Sequence, residues 1–171
     1  MKKKIIVLPV AILILSVLLV PTFADVGKGE SMNKYDGEWR YMPQSMDPLV
    51  TNNYGSQFAL SADSAEWTGA LEGESHDDCV SVLHASGRWV GYCTASFASA
   101  TIDGQTGGLE LGITLLKTAP TDPWVGEWFI TSGSGDLEGL EGEGSIWGHG
   151  YNPEKPDEPG IIYYKVKKLK E

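Results

Sequence analysis

Tryptophan is the residue type in this sequence best suited to holding a small molecule. Six tryptophans occur among 171 residues, and two of them, Trp124 and Trp128, flank Gly126 in the segment W-V-G-E-W. Alternate residues of a β-strand share a face, so a strand here would put both indoles on one side and Glu127 on the other. The rings then either fill a core or form the aromatic wall of a ligand cavity. The candidate wall residues are Trp67, Trp89, Trp124 and Trp128.

Carboxylates supply the second candidate chemistry. A cavity that guides a reactive molecule by its shape needs one polar group to control the outcome, and Glu72 or Glu127 is the candidate for that group. The run E-S-H-D-D at 74–78 also gathers metal-ligand residue types. Zinc ligands normally converge from separate elements, so we expect residues 74–78 to form a solvated turn and predict no metal site.

The acidic segment S-G-S-G-D-L-E-G-L-E-G-E-G at 132–144 has frequent glycines but not the chemistry of a phosphate-binding loop. A P-loop needs Lys followed by Ser or Thr after its last glycine, whereas four carboxylates occur here. We expect a tight turn and an edge strand, with calcium binding by the four acids as the alternative. No Gly-x-Ser-x-Gly, His-Glu-x-x-His or Cys-x-x-Cys motif occurs, so no catalytic residue and no cofactor are predicted.

The charge of the chain excludes nucleic acid as a partner. The formal net charge is −10 at pH 7, and a protein that binds a duplex needs a basic face to displace counterions from the phosphates. The basic cluster outside the N-terminal segment is Lys165, Lys167, Lys168 and Lys170. We expect these four C-terminal lysines to be solvated.

The N-terminus has the pattern of an export signal. Lys2–Lys4 are positively charged, Ile5–Val20 are almost all apolar, and Ala24 offers a cleavage site after a small residue. We therefore predict a signal peptide over residues 1–24 and an extracytoplasmic protein. The alternative is an uncleaved N-terminal helix that anchors the chain, and contact with a membrane is predicted only through that leader.

The two cysteines, Cys79 and Cys93, agree with export because disulfides persist in oxidising compartments. The residues between them predict a hairpin that turns at 85–87. His84 would then face Arg88. Counting outward along both strands places the two cysteines opposite each other, within the Cα separation that a disulfide tolerates. We predict a disulfide between them.

The remaining pattern predicts an all-β protein. Residues 25–56 are polar and rich in turn residues, and we interpret them as a lead-in with one short strand at 38–42. From residue 57, segments rich in β-branched and aromatic residues alternate with glycines, at 57–62, 66–75, 79–85, 88–102, 107–117, 124–132, 139–147 and 160–168. Eight strands can close a single antiparallel barrel, so residues 57–171 are predicted to form a β-barrel domain.

The register of the two longest predicted strands depends on the turn at Asp103-Gly104. Apolar residues recur at 109, 111, 113 and 115, which indicates one dry face. A three-residue loop at 102–104 would pair Phe97 with Leu109, whereas a two-residue loop would shift the pairing by one. The apolar match favours the three-residue loop, and in that register the disulfide points into the barrel.

Four segments of this pattern resemble a known family. They are F-A-S-A-T-I-D-G-Q-T-G-G at 97–108, L-E-L at 109–111, W-V-G-E-W-F-I at 124–130, and the segment at 132–144. Over about residues 57–150 the sequence resembles uncharacterised prokaryotic proteins with an allene oxide cyclase-like barrel. The resemblance implies an eight-stranded antiparallel barrel, a shell shared with plant allene oxide cyclases and dirigent proteins, which guide reactive small molecules in an apolar cavity. No cyclase active-site motif matches this sequence.

Three functions fit these observations. The favoured one is an exported barrel that binds a small apolar ligand in or at its lumen. The second is a cavity-templated isomerase or cyclase, and the third is a non-catalytic structural protein of the cell envelope with a packed interior. No enzyme activity is assigned from the sequence.

Overall fold

The computed structural model describes residues 35–46, 50–150, 154 and 157–170. Among them are nine β-strands: β1 (Gly37–Met46), β2 (Val50–Thr51), β3 (Gln57–Gly69), β4 (Leu71–Leu83), β5 (Trp89–Ile102), β6 (Gln105–Lys117), β7 (Trp124–Gly133), β8 (Glu141–Gly150) and β9 (Gly160–Lys170). A search of this part of the chain finds no helix with the length and apolar character to span a membrane. The predicted signal peptide lies outside the described residues.

Eight of the strands close into a barrel. Consecutive strands from β3 to β9 pair antiparallel, and β1 pairs with β9 on one side and with β3 on the other. The two-residue β2 pairs with the start of β3 and adds a ninth strand outside the ring. Closure satisfies the backbone groups that an open sheet leaves at its edges. The predicted all-β, antiparallel eight-stranded barrel is confirmed.

The positions of the strands differ from the prediction. Seven barrel strands follow residue 56, and the eighth is β1, inside the segment that we interpreted as a lead-in. Where three strands were expected at 57–62, 66–75 and 79–85, the chain forms two, β3 and β4, of 13 residues each. The gaps between those predicted segments, 63–65 and 76–78, lie in the middle of β3 and β4. Each gap contains a buried aspartate, Asp63 or Asp77, whose side chain points inward.

Alternation along the strands determines which side chains fill the barrel. Leu109, Leu111 and Ile113 of β6 are at most 4% exposed, as the period of two predicts. The corresponding inward positions of other strands bring large aromatic side chains together, and the rings of Trp39 and Trp67 stack with centroids 5.2 Å apart. We call the part of the barrel that these side chains fill the packed half. Its large side chains are Trp39, Trp67, Phe97, Leu109, Leu111, Trp128 and Tyr164.

The packed half ends at the β3–β4 and β5–β6 turns, which we call the closed end. Tyr164 Oη accepts a hydrogen bond from the Leu71 N–H at 2.7 Å and lies 3.1 Å from the carbonyl oxygens of Thr68 and Leu71. These contacts join β9 to the β3–β4 turn. A 3₁₀ turn at Gly135–Leu137 places the fully buried Leu137 in the core.

The acidic segment at 132–144 is therefore a cover for the closed end. It does contain the expected tight turn, but β8 is not an edge strand, because it pairs with β7 and β9. Asp136 and Glu138 are exposed. Gly107 allows the close approach of this turn, since a Cβ there would lie 1.8 Å from the Ser134 carbonyl oxygen. Within the described residues, no group of three or more acidic, His or Cys side chains could hold a metal ion.

The β5–β6 hairpin has the predicted register but a different turn. Phe97 pairs with Leu109, as expected. The loop is the two-residue Asp103-Gly104, however, with φ angles of 51° and 81°, a geometry typical of the turns that suit hairpin twist. A β-bulge between Phe97 and Ala100 supplies the missing residue. The three-residue loop was thus the wrong reason for a correct register.

The predicted disulfide is present. Cys79 and Cys93 are directly paired on β4 and β5, with Cα atoms 4.1 Å apart. The loop between these strands has the expected form, with the His84 N–H donating to the Arg88 carbonyl oxygen. Cys93 is 1% exposed and lies in the hydrophobic core, so the bridge does point into the barrel.

Candidate functional site

Two carboxyl groups lie side by side inside the barrel. Asp63 of β3 is paired directly with Asp77 of β4, and directly paired residues of antiparallel strands project to the same face. Asp63 is 6% exposed and Asp77 is fully buried. We call these two residues the acid pair. Buried carboxyls are costly, so their environment decides what they can do.

Asp77 is held in a hydrogen-bonded network. Its Oδ2 accepts from Trp39 Nε1 at 3.1 Å, and its Oδ1 accepts from Ser75 Oγ at 2.6 Å. Ser75 Oγ in turn accepts from Trp67 Nε1 at 3.0 Å. The two stacked indoles of the packed half therefore orient the carboxyl plane, and both oxygens of Asp77 are engaged.

Asp63 has a different environment. Its Oδ2 lies 3.9 Å from Cys79 Sγ, but a sulfur in a disulfide carries no proton to donate. His76 acts on the Asp63 carboxyl electrostatically, although its own side chain alternates to the outer face and lies 3.5 Å from Asp78. Among the described side chains, none is shown to donate a hydrogen bond to Asp63, so it is the member of the pair with the freer carboxyl group.

Burial raises the pKa of both members of the acid pair. Loss of solvation raises the pKa of Asp77 to about 7, with the nearby Asp63 raising it further and the Ser75 and Trp39 hydrogen bonds opposing the shift. Loss of solvation likewise raises the pKa of Asp63 to about 6. Two interacting carboxyls titrate as a unit. The acid pair therefore exchanges a proton close to neutral pH, where a solvated aspartate would be ionised.

The barrel is accessible on the other side of the acid pair, which we call the open end. One row of paired positions consists of Ala59, Ser81, Gly91 and Leu115. These side chains point inward, yet Ser81 and Leu115 are partly exposed, as are Ser61 and Cys79 in the row between them and the acid pair. Inward residues that contact solvent mark an opening in the barrel.

Small residues line this opening. A Cβ added to Gly91 would lie 3.6 Å from the Leu115 Cβ and 3.7 Å from the Ser81 Cβ, which are ordinary contact distances. By contrast, a Cβ on Gly126 would meet backbone at 1.8 Å. We call Ala59, Ser61, Ser81 and Gly91 the small-residue layer. It lies between the acid pair and the outer limit of the open end.

Aromatic side chains surround the open end. Trp89 and Trp124 are partly exposed and meet edge to face, with centroids 5.9 Å apart. Tyr41 and Trp124 both approach Gly150, where an added Cβ would lie 2.7 Å from Tyr41 Oη and 2.8 Å from Trp124 Cδ1. Lys117 Nζ lies 5.6 Å from the Trp124 ring centroid, and burial lowers the pKa of this lysine.

The predicted site residues fall into three groups. Trp67 and Trp128 are 1% and 3% exposed and belong to the packed core, whereas Trp89 and Trp124 border the open end. The shared face of Trp124 and Trp128 is as predicted. Glu72 and Glu127 alternate to the outer surface, where Lys167 Nζ lies 3.0 Å from Glu127 Oε1. These two glutamates therefore do not supply a polar group inside the barrel.

The acid pair and its hydrogen-bond partners were not among the predicted site residues. The expectation that residues 74–78 form a solvated turn is wrong, because they lie in β4 and alternate: Ser75 and Asp77 are buried, while His76 and Asp78 are exposed. The alternation of inward and outward residues could have revealed Asp63. Counting back from Trp67 and Ala65 in steps of two reaches Asp63, provided that a polar residue is accepted on the inner face.

Two clefts lie away from the open end. One, of about 580 Å³, runs along the outer side of β1, β3 and β4 beside Asp157 and Pro159, and Arg40, Met42, Glu66 and Glu74 contribute to it. The other, of about 380 Å³, lies at the closed end between the β5–β6 turn and Leu140, Leu169 and Lys170. Neither brings the candidate residues together.

Comparison with known proteins bears on the fold. No family model matches the sequence, and no curated protein matches it. Among solved structures, the chain is similar to the crystal structure of a protein of unknown function of the DUF3224 family from Shewanella oneidensis. That protein is 15% identical with a TM-score of 0.52, and the match covers 77% of this chain and 92% of that chain. At this identity, the similarity shows a shared fold and nothing of function.

Proposed function

We propose that this protein binds a small, largely apolar molecule at the open end of its barrel. The observation that carries the proposal is the partial exposure of inward-pointing residues, Ser61, Ser81 and Leu115, beneath the aromatic side chains of Trp89 and Trp124. Concave sites with apolar and aromatic walls and a few polar groups are typical of small-molecule binding. Here the acid pair supplies the polar groups.

We propose further that the chain is an allene oxide cyclase-like barrel and that it works in an extracytoplasmic compartment. The sequence resemblance to allene oxide cyclase-like barrels supports a ligand inside the barrel, since that shell accommodates small molecules in related folds. The Cys79–Cys93 disulfide supports an oxidising, extracytoplasmic environment. Membrane contact is proposed only through an uncleaved leader, and no nucleic-acid partner is proposed.

A neutral fluorescent probe tests this function. N-phenyl-1-naphthylamine brightens when it enters an apolar site, and we expect saturable binding to the wild-type protein. Gly91→Val places methyl groups in the small-residue layer, so this variant should lose at least about tenfold in affinity. Trp147→Phe is the matched control, because Trp147 lies on the outer surface, stacked on Tyr163. No saturable binding, or equal binding by Gly91→Val, would contradict the proposal.

A cavity-templated isomerase is the second candidate, and the acid pair is the observation that favours it. Such an enzyme needs a polar group inside the barrel, and Asp63 and Asp77 take the place of the predicted Glu72 and Glu127. We expect any such activity to exchange the α-protons of an aryl ketone with D₂O, measured by NMR. Exchange that is no faster with wild-type protein than with Asp77→Asn would exclude this candidate. A barrel that fails both tests would agree with the structural role instead.

A further inference from the structure

Within the described residues, no arginine or lysine contact is shown at the acid pair, and His76 acts on both carboxyls only electrostatically, from the outer face of β4. The arginine and lysine contacts shown for the described residues lie elsewhere: Arg40 pairs with Glu38, Lys167 pairs with Glu127, and Lys117 lies over Trp124. Buried carboxylates in proteins are normally paired with a cation or bound to a metal. At the acid pair, the groups that neutralise charge are hydrogen-bond donors from Ser75 and Trp39, together with a bound proton.

We propose that the acid pair recognises a protonated amine, so that the ligand of the open end is a small aromatic amine whose ammonium group binds Asp63. This inference rests on the proposed function and names its ligand class. Asp63 and Asp77 form one row, next to the row of Ser61 and Cys79 at the open end. Among the described side chains, Asp63 is the member of the pair for which no hydrogen-bond donor is shown, whereas both oxygens of Asp77 are engaged. An ammonium group supplies both the charge and the donors that this carboxyl lacks.

The walls of the open end suit the rest of such a molecule. An aryl ring directed away from Asp63 would lie over the inward-facing Cys79–Cys93 disulfide and against Leu115 and Gly91. Sulfur and aromatic rings make favourable contacts, and Gly91 presents only backbone on this wall. The aromatic rings of Trp89 and Trp124 then border the solvent side. A purely apolar ligand would use these walls but leave Asp63 unpaired.

The charged and titratable groups around Asp63 are few. Asp77 lies beside Asp63 on β4. His76, on the outer face of the same strand, acts on the Asp63 carboxyl electrostatically. On the inner faces of the other strands, Tyr41 of β1 lies toward the open end, Lys117 of β6 lies near its outer limit, and Tyr164 of β9 lies in the packed half. Among the described residues, Lys117 of β6 and Arg88 of the β4–β5 loop are the basic residues at this end, and Lys117 Nζ lies over the Trp124 ring.

Amine binding changes the proton content of the site in a defined way. When the acid pair holds one shared proton, the entering ammonium keeps its three protons and the carboxyl proton leaves to solvent. The product is a complex of one ammonium group with the two carboxylates. Binding should therefore release protons near neutral pH and become tighter as the pH rises from about 5 to about 8.

Displacement of N-phenyl-1-naphthylamine tests the ligand class. Phenethylamine and 2-phenylethanol share the same ring and chain and differ in the amine. We expect the wild-type protein to bind phenethylamine about tenfold more tightly than the alcohol at about pH 8. Asp63→Asn should abolish that preference while still binding the neutral probe. Glu74→Gln, which removes an exposed carboxyl from the outer face of β4, should keep the preference.

The outcomes separate this inference from the proposed function. Probe binding with equal displacement by amine and alcohol would overturn the amine site and leave the apolar site intact, whereas no probe binding would overturn both. A second readout needs no variant: calorimetry of phenethylamine binding to wild-type protein, in buffers of different ionisation enthalpy, should show proton release near pH 7. Binding without proton release, or an amine preference that survives in a folded Asp63→Asn variant, would also overturn it.

Discussion

Replacement of Asp77 by asparagine should change how the stability of this protein depends on pH. The ordinary pKa of the Asp77 carboxyl is 3.8, and in the folded protein burial raises it to about 7. A raised pKa means that the folded state holds a proton that the unfolded chain has already lost. The contribution of this group to stability is therefore fully present below about pH 4 and is lost as the pH rises to about 7.

The size of the effect follows from the shift. One pKa unit corresponds to about 1.4 kcal/mol, so the difference of about three units is equivalent to about 4 kcal/mol of folding free energy. Asparagine is never ionised, and its amide can accept from Trp39 and donate to Ser75. Asp77→Asn should thus be within about 1 kcal/mol of wild type near pH 4 and more stable than wild type by about 4 kcal/mol above about pH 7.

Urea unfolding followed by tryptophan fluorescence at several pH values measures this directly, since Trp39 and Trp67 surround the substituted side chain. Glu74→Gln serves as the control, because this exposed side chain lies on the outer face of the same strand and makes none of the contacts of Asp77; the difference between this variant and wild type should not change with pH as it does for Asp77→Asn. A difference between Asp77→Asn and wild type that stays constant across the pH range would refute the assignment of a buried, protonated carboxyl at this position.

Three further variants test the framework of the barrel. Tyr164→Phe leaves the buried Leu71 N–H without its acceptor, and thermal unfolding should show a loss of about 1–3 kcal/mol. Replacing Cys79 and Cys93 together by serine opens a short loop, and denaturant titration should show a loss of about 2–4 kcal/mol. Leu137→Ala removes a fully buried side chain from the closed end and should cost about 2–5 kcal/mol. Losses below about 0.5 kcal/mol in these measurements would contradict the contacts described.

The sequence was most informative where the inner face of a strand is apolar. In β6, every second residue from Leu109 to Leu115 is a large aliphatic, so the strand, its inward face and its pairing with β5 could all be predicted. The disulfide followed from the same reasoning, because the hairpin between Cys79 and Cys93 is short. In these elements, local periodicity and tertiary burial agree.

The prediction was wrong where the inner face of a strand is polar. The inward row of β3 continues from Ala59 and Ser61 to Asp63, whereas the prediction ended the first strand at residue 62 and began the next at 66. The network at Asp77 depends on Trp39, which is 38 residues away in sequence and approaches only because β1 closes the ring. A contact of that kind follows from the curvature of the whole barrel and leaves no trace in local spacing.

The bulge in β5 also determines where the chain length can vary. Two residues, Ala98 and Ser99, occupy the space opposite a single partner on β6. Loss of either one would restore regular pairing and leave Phe97 opposite Leu109. A deletion a few residues earlier, between Cys93 and Phe97, would instead reverse which side chains of the preceding segment face the interior and would separate the two sulfurs. Homologous chains that differ in length within this hairpin should therefore carry the difference at residues 98–99.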